Sequence, residues 1–184
     1  MVLTKTPICN FGEKAHNFNL KGIDGKSYSL KDCVGKRGII IMFICNHCPY
    51  VKAIVNDIVK DTNSLKELGL NSVAIMSNDT KNYPEDSFDK MIEFSKKNKF
   101  NFPYLIDETQ EVAKKFGAVC TPDFFGYNDN LELQYRGRMR ELKDLKPVSS
   151  KNSDLFNAMK LVAESGNGPK NQIPSMGCNI KWFN

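Results

Sequence analysis

No apolar stretch in this chain approaches the roughly 18 uninterrupted residues that a membrane-spanning helix needs. The opening residues, Met1-Val2-Leu3-Thr4-Lys5-Thr6-Pro7, hold no apolar signal core, so cytoplasmic residence without membrane association is expected. Histidine is scarce: only His16 and His47 occur, which leaves few ligands for a metal centre. A strong excess of one charge is also missing. Lys and Arg number 26 against 21 Asp and Glu, a formal charge of +5. The lysines are scattered and several close helix ends, as in Lys96-Lys97-Asn98-Lys99, so they read as dipole-complementing surface and no nucleic-acid partner is expected. Internal repeats and interdomain linkers are absent too.

What remains is a chain of 184 residues, 41% of them hydrophobic, the profile of one soluble globular domain with a real core. Residues 1–12 read as an N-terminal extension. Residues 167–184, rich in Gly, Pro and Asn, read as an irregular tail. Six cysteines in a chain expected to stay in the cytoplasm point to redox or metal chemistry rather than a disulfide framework.

Two of those cysteines carry most of the information. In Phe43-Ile44-Cys45-Asn46-His47-Cys48-Pro49 a Cys-x-x-Cys pair follows the apolar run Gly38-Ile39-Ile40-Ile41-Met42 and precedes an amphipathic stretch from Tyr50 to Leu68. The pair therefore sits where a buried strand ends and a helix begins. Unpaired N–H groups and the positive helix end favour thiolate there, and thiolate is the reactive form.

Around this junction the chain alternates strand and helix. Asp24-Gly25 marks a hairpin turn before Ser27-Tyr28-Ser29-Leu30. Gly69 ends the first long helix, and residues 71–76 form the next strand. Pro84-Glu85-Asp86 opens a second helix with its acids in the first turn and Phe88, Met91, Ile92 and Ser95 facing inward. After a strand over 102–106, Asp107 and Gln110 form a capping-box pattern for a third helix ending at Gly117. Phe124-Phe125-Gly126-Tyr127, the turn Asn128-Asp129-Asn130 and alternating Leu131, Leu133 and Tyr135 make an antiparallel pair. Ser153 caps a last helix that Gly166 closes. The order β–α–β–α–β–α–β–β–α predicts an α/β sandwich around a central mixed sheet flanked by helices.

The Cys-x-x-Cys junction, followed by Val119-Cys120-Thr121-Pro122-Asp123 at the head of a later strand, resembles the active-site helix and cis-proline loop of the thioredoxin superfamily. The opening hairpin and the long insertion between the two motifs are similar to the redoxin branch, the peroxiredoxin-like and thiol-specific antioxidant proteins. The strings Cys-Asn-His-Cys-Pro-Tyr-Val, Cys-Thr-Pro-Asp-Phe-Phe and Gly-Cys-Asn-Ile-Lys-Trp resemble a bacterial subgroup described as redoxins or thiol-disulfide isomerases. The likeness covers roughly residues 12–165.

This resemblance implies a thiol-disulfide oxidoreductase. Cys45, nearest the solvent, is the nucleophile and Cys48 the resolving thiol, with no organic cofactor. A protein or small-molecule disulfide is the substrate and a thiol reductant resets the pair; the chain is expected to be a monomer or a homodimer, as peroxiredoxin-like relatives often dimerise. Cys120, Thr121 and Pro122 would contact substrate. His47 is expected to tune Cys45 below the free thiol value of about 8.5 and make the couple more oxidising than thioredoxin's value of about −270 mV. Two departures stand out: Ile39 replaces thioredoxin's buried acid, and Ile44 its tryptophan.

Two other readings stay open. Peroxide reduction, an antioxidant activity, lacks the Pro-x-x-x-Thr-x-x-Cys motif in either register, although Arg136, Arg138 or Arg140 would provide a cation for a peroxidatic thiolate. Copper or zinc handling through Cys45 and Cys48 would use only half a structural site. Cys178, in an apolar and aromatic tail end expected to dock on the body, is a candidate third redox thiol approaching Cys120 or Cys45. Cys120 packs or accepts a disulfide. Cys9 and Cys33 are assigned no redox role.

Overall fold

The β-branched run that precedes the Cys-x-x-Cys pair, Gly38–Phe43, is buried along its whole length. It is the strand on which the rest of the architecture is hung. The computed structural model describes residues 3–149 and 151–183. In chain order these form β1 (Leu3–Lys5), β2 (Asn19–Gly22), β3 (Ser27–Ser29), the one-turn α1 (Leu30–Cys33), β4 (Gly38–Phe43), α2 (Pro49–Glu67) and β5 (Leu70–Met76). A 3-10 turn (Pro84–Asp86), α3 (Phe88–Asn98), β6 (Tyr104–Ile106), α4 (Glu111–Phe116), β7 (Cys120–Thr121) and β8 (Asp123–Tyr127) follow. The chain ends with β9 (Leu133–Arg136), the short hairpin β10 (Leu142–Lys143) and β11 (Lys146–Pro147), α5 (Asp154–Ser165) and β12 (Met176–Asn179).

Seven strands make one mixed sheet in the order β3-β2-β6-β5-β4-β8-β9. β4 runs parallel to β5 and antiparallel to β8, with Ile41 opposite both Val73 and Phe125. Side chains alternate across a strand, so β4 feeds two cores. Ile40, Met42 and Ile44 pack with Ile54 and Ile58 of α2, Met91 of α3 and Leu155 and Met159 of α5. Ile39, Ile41 and Phe43 pack with Leu30 of α1 and Val112 and Phe116 of α4. This is the mixed sheet between helical layers that the alternation of elements predicts. At the end of α5, Ser153 Oγ accepts the Phe156 N–H (2.9 Å), the expected cap, and Gly166 closes the helix at φ 77°.

Four local expectations are corrected. Pro84–Asp86 is a separate 3-10 turn and α3 starts at Phe88, so Asp86 is not a first-turn acid of that helix; it is fully buried. Ile92 faces solvent rather than the core, because the inner stripe of α3 follows Met91 and Ser95. Gln110 makes no capping bond to α4. Its side-chain amide donates to the carbonyls of Ser77 (2.7 Å) and Lys181 (2.8 Å), and its oxygen accepts the Phe183 N–H (2.8 Å). The cap comes from Asp107, which accepts the Ala113 N–H at 2.9 Å.

The fourth correction concerns the two ends of the chain. The tail is not irregular throughout: β12 lies between β1 and β7 in a three-stranded antiparallel sheet. Leu3 stands opposite Cys178, and Cys178 opposite Thr121. The expected docking of the tail is present, with Cys178 and Ile180 each 1% exposed. Gly177 makes the approach possible, since a Cβ there would collide with the Thr121 carbonyl.

Candidate functional site

Cys45 leaves the end of β4 and Cys48 is the N-cap of α2, with Pro49 in the first helical position. Proline fits there because its missing N–H is one the helix would leave unpaired anyway. The loop between the two cysteines is held by Asp86. Its Oδ1 accepts the N–H groups of Asn46 (2.8 Å) and His47 (3.3 Å). Its Oδ2 accepts His47 Nδ1 (2.7 Å) and Asn78 Nδ2 (2.8 Å). Asn46 is fixed from its other side by the Tyr104 hydroxyl, which donates to Oδ1 at 3.0 Å. His47 stacks on Tyr83 with ring centroids 5.8 Å apart.

The two sulfurs have different surroundings. Cys45 Sγ lies 3.9 Å from His47 Nδ1 and 3.4 Å from Thr121 Oγ1. Cys48 Sγ lies 3.1 Å from the Thr121 carbonyl oxygen and 2.9 Å from Cys178 Sγ. The structure thus brings Cys45, His47, Cys48, Thr121 and Cys178 together. Pro122 follows through a cis peptide bond. Cys120 is buried beside them, but its sulfur turns to the Pro122 carbonyl at 3.6 Å.

Three sequence expectations change here. Cys45 is not open to solvent: it is 1% exposed and Cys48 is fully buried. Nor is Cys45 the more acidic thiol. Burial pushes it well up, and the Cys48 sulfur that accepts its hydrogen bond and the nearby Asp86 carboxylate push the same way. Cys48 is drawn down to about 5, first by the Cys45 hydrogen bond and, against the cost of burial, by the Cys178 thiol and the Val51 N–H. The two sulfurs titrate together, with the anion favoured on Cys48 over Cys45. His47 does not drive this. Its own pKa is raised, first by its bond to Asp86, and that carboxylate pushes the Cys45 thiol up as well. The third change is the partner of Cys178, which is Cys48 rather than Cys120 or Cys45.

Asp86, Asn78, Tyr83 and Tyr104 were not legible as site residues. The Pro-Glu-Asp string that contains Asp86 reads only as a helix start. The arginines considered for a peroxidatic site are engaged elsewhere. Arg136 pairs with Asp123 (3.0 Å), Arg138 with Asp154 (2.6 Å) and Arg140 with Asp57 (3.0 Å). For a metal, Cys45, His47 and Asp86 offer ligand atoms within 4.8 Å of one another among the described residues, a different set from the Cys45/Cys48 pair. The four donors already on Asp86 fit a hydrogen-bonded hub better than a ligand.

A cavity of about 460 Å³ lies beside Pro122, where Tyr50, Ile54, Met139 and Leu142 share the wall with Lys5, Arg138 and Arg140. On the other side of the motif, a groove of about 580 Å³ between α2 and α3 has Asn46 and His47 at its wall.

Residues 11–141 match the model of a family described as the AhpC/TSA family. A crystal structure of an uncharacterized conserved protein from Geobacillus kaustophilus is 37% identical, with a TM-score of 0.94 over 100% of this chain and 97% of that one. The thioredoxin domain of a thiol-disulfide oxidoreductase from Bacteroides vulgatus shares the fold, with a TM-score of 0.64 at 15% identity over 83% of this chain and 97% of that one. Among curated relatives, the thiol-disulfide oxidoreductase ResA of Halalkalibacterium halodurans is 26% identical over 122 residues, 66% of this chain. The match spans 65% of that protein's length.

Proposed function

The chain belongs to the AhpC/TSA family, and from that premise we propose that it is a thiol-disulfide oxidoreductase cycling Cys45 and Cys48 between dithiol and disulfide. The observation that carries this reading is the placement of both sulfurs at the N-terminus of α2 against the Thr121–Pro122 turn, with Cys45 Sγ 3.4 Å from Thr121 Oγ1 and Cys48 Sγ 3.1 Å from the Thr121 carbonyl oxygen. Cys45 Sγ attacks one sulfur of a substrate disulfide while its proton passes to the Cys48 thiolate. One substrate thiol leaves, taking up a proton, and a mixed disulfide on Cys45 remains. Cys48 then attacks Cys45 Sγ, its proton goes to the second leaving thiol, and the Cys45–Cys48 disulfide forms. Two electrons have moved from the dithiol to the substrate, and a thiol reductant returns them. Cys45 takes the first step because it faces His47, which is partly exposed, whereas Cys48 is closed in by Thr121 and Cys178. A thiolate stabilised on Cys48 favours the reduced form and hence an oxidising couple.

The substrate edge supports small disulfides over extended polypeptides. Thr121 is already paired in register with Cys178 of β12, so the backbone a peptide would use is taken. Peroxide reduction has less support, because Arg136, Arg138 and Arg140 are each paired with a carboxylate. The test is a competition in single turnover. Reduced protein meets hydrogen peroxide and bis(2-hydroxyethyl) disulfide at equal concentration, and thiol loss is followed by quenched alkylation. Consumption mainly by the disulfide is expected. Consumption mainly by peroxide, with a sulfenate on one cysteine, would overturn the reading.

A further inference from the structure

We propose that Cys178 is the terminal thiol of an internal relay: it takes the disulfide from Cys45–Cys48 to Cys48–Cys178 and restores the Cys45 thiol. This rests on the exchange reading above and extends it by one step. Cys178 Sγ attacks Cys48 Sγ, the Cys45–Cys48 bond breaks, and the Cys48–Cys178 bond forms. The proton of Cys178 ends on the departing Cys45 sulfur. No outside oxidant or reductant enters, because two electrons only change owner within the chain.

The geometry carries the step. Cys48 Sγ and Cys178 Sγ are 2.9 Å apart, against about 2.0 Å in a disulfide. β12 delivers Cys178 to this place by pairing with β1 on one side and β7 on the other. Gly177 lets the strand lie against the Thr121 carbonyl. Beyond Cys178 the tail is held by the Lys181 N–H to Asn78 Oδ1 (2.9 Å) and by Asp79 N–H to the Lys181 carbonyl (2.8 Å). Asn78 is the same residue that bonds Asp86, so the cysteine loop and the tail share a support. At 1% exposure, Cys178 meets an internal sulfur far more readily than an external one.

The resting state keeps the third thiol protonated. Burial raises Cys178 to about 12, and the thiolate of Cys48 adds to this. Oxidation of Cys48 removes that anion, and the raising contributions from Cys48 go with it, while the lowering influence of Lys181 remains. Formation of the Cys45–Cys48 disulfide therefore readies Cys178 for its attack.

The test uses the full chain, fully reduced, with one equivalent of bis(2-hydroxyethyl) disulfide. After acid quench the protein is denatured, alkylated with N-ethylmaleimide and digested with trypsin. Cys45 and Cys48 share the fragment of residues 38–52, and Cys178 lies in residues 171–181. The expected product links the two fragments through Cys48, with the label on Cys45. In Cys178→Ser the expected product is an unlabelled 38–52 fragment closed by Cys45–Cys48. A closed 38–52 fragment as the sole wild-type product, with Cys178 labelled, would sink the relay and leave the exchange reading standing. A link through Cys45, or a labelled Cys45 in oxidised Cys178→Ser, would also sink it. Full labelling of all three cysteines would overturn the exchange reading itself.

Discussion

Asp86 is the residue on which the cysteine loop depends, and its effects separate by pH. It accepts four hydrogen bonds from Asn46, His47 and Asn78 while fully buried. Its own pKa is held low against the cost of burial, chiefly by His47 and then Asn78, and it holds His47 high. Asp86→Asn is expected to lower the His47 pKa, since Asp86 supplies the largest of the influences that raise it. Titration of the His47 ring protons by NMR checks this; an unchanged midpoint would refute it. The stability consequence has a definite window. The raised His47 contributes fully below its unfolded pKa and loses that contribution as pH rises through its folded value. The lowered Asp86 contributes above its unfolded pKa and loses that contribution as pH falls through its folded value. The stability gap between wild type and Asp86→Asn should therefore be widest between about pH 4 and 6.5, as read by urea unfolding across pH. Asp86→Ala strands buried donors outright and should cost about 3 kcal/mol near pH 6.

At the scale of elements, what was legible followed periodicity and what was not depended on distant contacts. The apolar run of β4, the stripe of α2 and the caps Ser153 and Gly166 announce themselves locally, because each is fixed by neighbours within a few residues. The Cys-x-x-Cys junction and the Thr-Pro turn belong to that class, so both are readable from their neighbouring residues. Asp86 resembled a helix-start acid and Gln110 a capping residue, because their true partners lie far along the chain at Asn46 and Lys181. β1 and β12 are only Leu3–Lys5 and Met176–Asn179, too short for alternation to show, and each takes its register from the other. The lowering of Cys48 is local in its first cause, Cys45, but the part that Cys178 adds is not readable, because the sequence around Cys178 says nothing of that contact. The clearest local trace of that contact is Gly177. Gly177→Ala should push β12 off Thr121, cost about 1–3 kcal/mol by steric strain and accelerate amide hydrogen exchange at Cys178 and Thr121. Unaltered exchange at both amides would show that β12 tolerates the side chain.

For the molecule as a whole, the main consequence is that β12 occupies the edge of β7 beside the cysteine pair, the edge proposed above to meet substrate. A polypeptide disulfide that docks by strand addition must first displace β12, with buried Cys178 and Ile180. Displacement also breaks the bonds of Lys181 to Asn78 and of Gln110 to the tail. A small disulfide has no such requirement beyond local opening at Cys45. The two substrate classes should then differ in the form of their kinetics as well as in rate. With bis(2-hydroxyethyl) disulfide, the rate of Cys45 oxidation should rise linearly with concentration. With insulin it should be at least about tenfold slower and level off, because tail release becomes limiting once opening is slower than capture. Gly177→Ala, which weakens the seat of β12, should raise the insulin plateau and leave the small-disulfide slope nearly unchanged. Equal, linear rates for both substrates in the wild-type protein would mean that polypeptides reach Cys45 by a path other than the edge of β7, and the substrate preference argued from that edge would fall.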